Sequence, residues 1–214
     1  MQNAFGLQIP ETLNEACSPA RSALLVYDMQ VGILNQIGKR DQVIEAVRRV
    51  LKAARHAGVR TFFLRHLSLP KNLAGVFQLR QAMQWQRVTR AEDVKPWFLR
   101  DSPGFAITEE LDVLATEAVF DKITMSAFEG TQLDIALRDC GVDVFVLVGA
   151  AIEIGIDITV RHGADLGYIP VVVTDACGAG DDEAGKRALD VMDFVGDAIL
   201  TNTGAICELW NPKS

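Results

Sequence analysis

The sequence lacks any long apolar run. Its most apolar stretch, residues 144–152, is far shorter than the roughly 20 residues that a transmembrane helix needs. The start of the chain also lacks a secretory signal, because the first positive charge is Arg21 and no apolar segment precedes it. These absences predict a soluble, cytoplasmic protein with no membrane partner.

Basic charge and metal-binding side chains are also scarce. Asp and Glu number 28 against 21 Lys and Arg, so we expect no nucleic-acid partner. The three histidines form no HxH or DxH pair, and we expect neither a metal site nor another cofactor. The four cysteines form no CxxC pair, which is typical of free thiols in a reducing compartment. They are Cys17, Cys140, Cys177 and Cys207.

Two phosphate-binding fingerprints are missing. No GxGxxG motif follows the first apolar run, which argues against the usual dinucleotide-binding fold. Residues 180–187 match GxxxxGK, but Arg187 stands where Ser or Thr must hold magnesium. The acidic residues inside this segment instead suit the first turn of a helix, where the helix dipole favours negative charge.

What the sequence does contain is an alternation of apolar runs and amphipathic segments. It predicts an open, mostly parallel six-stranded sheet with helices on both faces, a Rossmann-like α/β fold, over residues 22–214. Residues 1–21 are predicted to form an N-terminal surface arm. The predicted strands are 22–27, 59–64, 118–121, 142–148, 169–174 and 198–201. The predicted helices are 41–57, 108–116 (with Thr108 as N-cap), 131–140, 152–166 and 182–195, with a terminal helical turn.

One connection is unusually long. More than forty residues separate Leu64 from Thr108, and they include several tryptophans, phenylalanines and arginines. Two interpretations stay open: an elaborated crossover packed on the sheet, or a wall over a ligand pocket.

Polar groups and a helix start follow three of the predicted strands. Asp28 ends the first strand, Lys122 follows the third, and residues 149–151 end the fourth. In open α/β sheets, ligands bind beyond the carboxyl ends of the strands. If these strands are neighbours, an acid, a base and a helix N-terminus converge there, and the buried charges need each other to offset desolvation.

Three segments together resemble the signature blocks of the isochorismatase-like hydrolases. They are LLVYDMQ at 24–30, KITMSAF at 122–128 and VGAAIEIG at 148–155. The resemblance implies the isochorismatase-like fold, a hydrolase domain over 22–214, catalytic Asp28 and Lys122, and a cis peptide bond between Ala150 and Ala151. It also implies a homo-oligomer, a dimer or a tetramer.

The position of the family's cysteine nucleophile falls on Gly155, which cannot attack a carbonyl. Family members with glycine there cleave an enol ether without a covalent enzyme intermediate, and the resemblance implies that the missing side chain leaves room for substrate. Asp28 then acts either as a general acid or as a general base towards water, and the sequence leaves both open. Cys177, after the fifth strand, is a weaker candidate for a substitute nucleophile.

Several substrate-binding positions of the isochorismatases are replaced here. A Tyr is expected where Ala151 and Met125 stand, an Arg where Thr124 stands, and a Gln where His66 stands. The pocket is therefore expected to suit a less polar ligand than isochorismate. We assign substrate binding to Ala151, His66, Trp97 and Phe128, with Phe98 as a further candidate for an apolar wall, and a polarising role to the backbone N–H groups of Ala151 and Gly155.

Two functional hypotheses follow. The first is a hydrolase of a small organic molecule that uses Asp28 and Lys122 without a cysteine nucleophile. The second is a non-catalytic small-molecule-binding or scaffold protein that kept the fold after losing its nucleophile. An Asp28 that faces Lys122 in a closed pocket favours the first, and an Asp28 that points into open solvent favours the second.

Overall fold

The computed structural model describes residues 1–211, so the last three residues of the predicted domain lie outside the described residues. The strands are β1 (Gln2–Ala4), β2 (Leu7–Ile9), β3 (Ser22–Tyr27), β4 (Arg60–His66), β5 (Ala118–Lys122), β6 (Val144–Ala150), β7 (Ile169–Gly178) and β8 (Ile199–Thr201). The helices are α1 (Leu13–Ala16), α2 (Val31–Leu34), α3 (Arg40–Ala57), α4 (Val76–Gln86), α5 (Leu133–Asp139), α6 (Asp157–Asp165), α7 (Asp182–Val195) and α8 (Thr203–Trp210).

Strands β3 to β8 form one parallel sheet in the order β5-β4-β3-β6-β7-β8. All six residues of the central strand β3 are buried. Their side chains alternate between two cores: Leu24 and Val26 pack beneath α3 and α8, and Leu25 and Tyr27 pack beneath α5, α6 and α7. The predicted fold class is confirmed, with helices on both faces of the sheet.

Two local predictions need correction. The segment 108–116 is not a helix: only a 3₁₀ turn, Glu109–Leu111, forms, and the Thr108 side chain does not cap it. Instead the Thr108 backbone N–H donates to the Met29 carbonyl, 2.9 Å away, which ties the segment to the chain after β3. The predicted helix 152–166 begins as a π-helical turn, Ile152–Ile156, and becomes α-helical at Asp157.

The arm over residues 1–21 is ordered into the β1–β2 hairpin and the short helix α1. Cys17, at the end of α1, is fully buried, and its carbonyl accepts a hydrogen bond from Trp210 Nε1 at 3.2 Å. The arm is therefore docked against the C-terminal helix α8.

The long connection between β4 and β5 carries α4 and several 3₁₀ turns. It is held over the carboxyl ends of the strands by the buried side chain of Gln30. The Gln30 amide nitrogen donates to the carbonyls of Phe105 and His66, both at 3.0 Å, and its oxygen accepts from the His66 N–H at 2.6 Å. Both interpretations of the connection therefore hold, since this crossover also walls the cavities described below.

Candidate active site

The site is built at the carboxyl ends of β3 and β5, on either side of β4. Lys122 Nζ donates to Asp28 Oδ2 at 2.9 Å, and both side chains are buried. Asp28 has a φ of 48°, in the left-handed region, and its N–H donates to the Leu64 carbonyl at 3.0 Å. The turn thus directs the Asp28 carboxylate back over the end of β4 towards Lys122. The structure brings together the two residues that the sequence singled out.

Burial dominates the electrostatics of this pair. It raises the pKa of Asp28 to about 6, although the Lys122 ammonium opposes the shift. Burial also lowers the pKa of Lys122, against the opposing pull of Asp28. The second carboxylate oxygen, Asp28 Oδ1, is buried and has no hydrogen-bond partner among residues 1–211. Asp28 therefore has one oxygen held by the ammonium and one oxygen left for chemistry.

Lys122 lies behind Asp28. The Lys122 side chain is fully buried and lines neither of the cavities described below, whereas Asp28 lines the nearer one. The Lys122 ammonium also donates to the Thr124 carbonyl at 3.3 Å and lies 4.2 Å from the centre of the Tyr27 ring. Lys122 is placed to act on a ligand through Asp28 rather than by direct contact.

Gly155 lines the cavity beside Asp28, but the direction in which a side chain at position 155 would point is already filled. A Cβ added to Gly155 would lie 2.1 Å from the Tyr27 hydroxyl oxygen and 2.4 Å from the ring carbon that bears it. The Tyr27 side chain thus fills the volume where a cysteine at 155 would need to stand. Sequence reasoning missed Tyr27, and the available signal was a bulky phenol at the end of a buried strand, immediately before Asp28.

Tyr27 is not itself a nucleophile in this arrangement. Its hydroxyl donates to the Met125 carbonyl, and burial raises the pKa of the phenol well above its ordinary value. Cys177 is equally unsuited: it is buried, its thiol faces the Leu147 carbonyl at 3.6 Å, and burial raises its pKa to about 12. Neither side chain supplies the attacking group that Gly155 lacks.

The turn after β6 supplies one backbone donor. The peptide bond between Ala150 and Ala151 is cis, as the family resemblance implies. The Gly155 N–H is engaged with the Ala151 carbonyl at 3.1 Å, so its proposed polarising role is not available. The Ala151 N–H has no hydrogen-bond partner within the described part of the chain, and Ala151 lines the cavity beside Asp28. Of the two predicted donors, the Ala151 N–H is the one left unengaged within residues 1–211 and able to polarise a substrate oxygen.

A cavity of about 390 Å³ opens onto Asp28, and we call it the catalytic cavity. Of the predicted substrate-binding residues, Ala151, His66 and Trp97 line it. Phe128 does not, and that prediction is wrong because its ring packs in the core, 5.5 Å from the rings of Phe145 and Tyr168. Burial lowers the pKa of His66 to about 3, so its imidazole is neutral at neutral pH. Trp85, Phe98, Glu153 and Arg87 complete much of the wall.

Two features are absent from the described residues. No helix within residues 1–211 is long and apolar enough to cross a membrane. In the same part of the chain, no three His, Cys, Asp or Glu side chains are grouped as metal ligands.

Comparison with known proteins gives concordant results. The ureidoacrylate amidohydrolase RutB of Yersinia enterocolitica is 30% identical over 194 residues, covering 82% of this chain and 84% of the relative. That of Serratia proteamaculans is 29% identical over 183 residues, covering 78% and 73%. A cysteine hydrolase structure from Pseudomonas syringae superposes with a TM-score of 0.79 at 22% identity, covering 91% of this chain and 94% of that one. The N-carbamoylsarcosine amidase structure from Thermoplasma acidophilum gives a TM-score of 0.70 at 21% identity, covering 86% and 96%.

The family model described as the isochorismatase domain matches residues 22–203, from the first residue of β3 into α8. The match therefore spans every strand of the six-stranded sheet and the turn that carries Gly155. On this evidence the chain belongs to the isochorismatase family of hydrolases.

Proposed function

We propose that this protein hydrolyses a small carboxylic amide by direct attack of water, with Asp28 as the general base and no covalent bond between enzyme and substrate. One observation carries the proposal: Lys122 holds Asp28 Oδ2, while Asp28 Oδ1 has no hydrogen-bond partner in residues 1–211, at the wall of the catalytic cavity. A carboxylate with one oxygen anchored and the other unpaired is arranged to accept a proton from a water molecule.

The protonation state favours a base over an acid. With a pKa of about 6, Asp28 is a carboxylate in roughly ten of eleven molecules at pH 7. The same raised pKa makes it a stronger base than an ordinary aspartate. Hydrolysis of an enol ether needs the protonated carboxyl as the acid, and that form is the minority at neutral pH.

The proposed hydrolysis has two steps, addition of water to the carbonyl carbon and cleavage of the carbon–nitrogen bond. Asp28 Oδ1 takes a proton from water as the water oxygen bonds to the carbonyl carbon, and the Ala151 N–H stabilises the negative charge on the carbonyl oxygen. The carbon–nitrogen bond then breaks, and the proton on Asp28 passes to the leaving nitrogen. The products are a carboxylic acid and an amine or ammonia, and Asp28 returns to its carboxylate form.

The names of two relatives agree with this choice of bond. Ureidoacrylate amidohydrolase and N-carbamoylsarcosine amidase are both named for cleavage at carbon–nitrogen bonds. The proposed reaction uses no thiol nucleophile, because the Tyr27 side chain fills the space that a cysteine side chain at position 155 would occupy.

The test is a panel of small amides assayed beside isochorismate, whose cleavage would release pyruvate. We expect amide hydrolysis by the wild-type protein, loss of at least 100-fold in kcat/KM for Asp28→Asn, and little change for Asp181→Asn. Asp181 is the matched control, because it lines the same cavity and caps α7, and asparagine caps helices equally well.

Three results would contradict the proposal. Undiminished turnover in Asp28→Asn would show that Asp28 is not the general base. Pyruvate release that strengthens as the pH falls through 6 assigns Asp28 the role of acid on an enol ether. Binding of these compounds without turnover of any of them returns the protein to the non-catalytic class.

A further inference from the structure

A second cavity of about 510 Å³ adjoins the catalytic cavity. The two share five lining residues, so they adjoin at these side chains. The shared residues are His66, Trp85, Trp97, Phe98 and Met125. We call the second cavity the apolar chamber. Together the two cavities have the size of a site for a molecule larger than acetamide or urea.

The apolar chamber lies beneath helix α4 of the long connection. Its lining is mostly hydrocarbon, contributed by α4, by the chain before α4, by the segment after β5 and by α6. Characteristic lining residues are Leu69, Phe77, Ala82, Trp85, Ile123 and Ile158. An occupant of this space exchanges water for apolar contacts, which stabilises apolar groups in proportion to the area they bury.

Charge is kept away from the junction between the two cavities. His66 stands at the junction, and its imidazole is neutral because burial holds its pKa at about 3. The Lys71 ammonium donates to the Glu92 carbonyl, and His162 Nδ1 pairs with the Ser126 hydroxyl at 2.8 Å. These two polar groups are thus engaged within the protein. Lys95 and Glu129 also line the chamber, but none of the five residues at the junction is charged at neutral pH, which favours an uncharged group there.

We propose that the apolar chamber binds the uncharged apolar part of the substrate, so that the protein prefers amides of medium-chain or aromatic acids over amides of short acids. The inference rests on the proposed function only for the placement of the reacting carbonyl beside Asp28. Because the two cavities adjoin at His66 and Trp97, we place the remainder of the acyl group past these side chains, in the chamber.

The first experiment is a series of unbranched primary amides from acetamide to octanamide, with phenylacetamide beside them. For wild-type protein, kcat/KM is expected to rise by about fourfold for each methylene that enters the chamber, and then to level off when the chamber is full. A flat series, together with Asp28-dependent hydrolysis of acetamide, overturns the chamber and leaves the proposed function intact.

The matched variants act on the chamber alone. Ala82→Phe places a ring inside the chamber, and Val76→Phe places the same ring on the outer side of α4, where Val76 is 80% exposed. The gain with chain length should disappear in Ala82→Phe and persist in Val76→Phe, and Val76→Phe should also leave acetamide hydrolysis unchanged. Ala74→Phe, at another chamber wall, serves if Ala82→Phe fails to fold.

Binding separates the two claims. Calorimetric titration of Asp28→Asn with the same amides measures the chamber without turnover, and Kd should fall with chain length by the same factor as kcat/KM rises. If no amide is hydrolysed but Kd keeps this trend, the chamber stands and the proposed function fails. If Kd is independent of chain length, or if a second copy of the chain covers the chamber and removes the trend on dimerisation, the inference fails.

Discussion

Replacing Gly155 with alanine sets two physical effects of opposite sign against each other. Gly155 lies in the helical turn after β6 and has no positive φ, so its backbone accepts alanine. Helix propensity alone makes alanine more favourable than glycine by about 1 kcal/mol. The added Cβ, however, would lie 2.1, 2.4 and 2.5 Å from three atoms of the Tyr27 side chain. Those separations are more than 1 Å inside normal van der Waals contact.

The Tyr27 ring has little freedom to move aside. Its hydroxyl donates to the Met125 carbonyl, its face packs against the Lys122 ammonium, and the side chain is 1% exposed. Overpacking of such a site costs roughly 1–3 kcal/mol, and an overlap with three atoms falls at the upper end. After the gain from propensity, we expect Gly155→Ala to lose about 2 kcal/mol of unfolding free energy, which lowers Tm by about 4–8 °C for a chain of this length.

The assay is a double-mutant cycle by urea and thermal unfolding. Tyr27→Leu shortens the side chain so that it no longer reaches position 155, and in that background Gly155→Ala should be neutral or stabilising by about 1 kcal/mol. The coupling energy between the two sites is then about 2–3 kcal/mol. Gly38→Ala is the control, because a Cβ there meets nothing within 4 Å. If Gly155→Ala raises Tm with Tyr27 intact, or if the two changes are additive, Tyr27 does not fill the slot.

Three further predictions address the site and its support. Lys122→Met leaves the Asp28 carboxylate buried without its ammonium partner, so the pKa of Asp28 should rise above 6. The rising limb of the kcat/KM profile should then move to higher pH. An unmoved limb would show that Lys122 does not control the pKa of Asp28. Burial holds the pKa of the Cys177 thiol at about 12, so iodoacetamide at pH 8 should leave activity intact. The Cys177→Ala variant should also keep its activity. If iodoacetamide inactivates the wild-type protein but not Cys177→Ala, Cys177 becomes a catalytic candidate again. Gln30→Leu leaves the Phe105 and His66 carbonyls and the His66 N–H without their hydrogen-bond partner. We therefore expect the free energy of unfolding, measured in urea, to fall by about 2–3 kcal/mol. A loss below about 0.5 kcal/mol would show that Gln30 does not hold the β4–β5 connection in place.

The sequence was most informative where the local signals agree with one another. The helix over 182–195 was predicted to the residue, because an acidic first turn, an apolar stripe and a closing glycine agree there. Strands β3 and β6 were predicted within two residues because they are buried at every position and therefore continuously apolar. The segment 108–116 was wrong because its local pattern competes with a tertiary hydrogen bond from Thr108 to Met29 that periodicity does not report.

The approach of Asp28 and Lys122 could be predicted from the sequence, whereas the contact between Tyr27 and position 155 could not. Asp28 and Lys122 follow parallel strands, and the carboxyl ends of such strands meet at one edge of the sheet, so their approach follows from topology. The contact between Tyr27 and position 155 joins residues on two different elements and depends on which rotamer the ring adopts. Taken alone, each segment suggests a core residue at Tyr27 and an open position at Gly155, whereas in the fold the Tyr27 ring occupies the side-chain space at 155.

The same contact connects the steric and the electrostatic design of the site. A thiol-dependent hydrolase needs its aspartate to accept a proton from a cysteine, and it needs space for that cysteine beside the aspartate. Here the space holds the Tyr27 ring, which packs against Lys122. Lys122 holds one oxygen of Asp28, and the other oxygen has no hydrogen-bond partner within residues 1–211. Burial also raises the pKa of Asp28 towards neutrality, which strengthens it as a base for a nucleophile as weak as water. In the proposed mechanism, a glycine at position 155 and a stronger base at Asp28 are complementary features of one site, and adding a side chain at position 155 without removing the Tyr27 ring should disturb both.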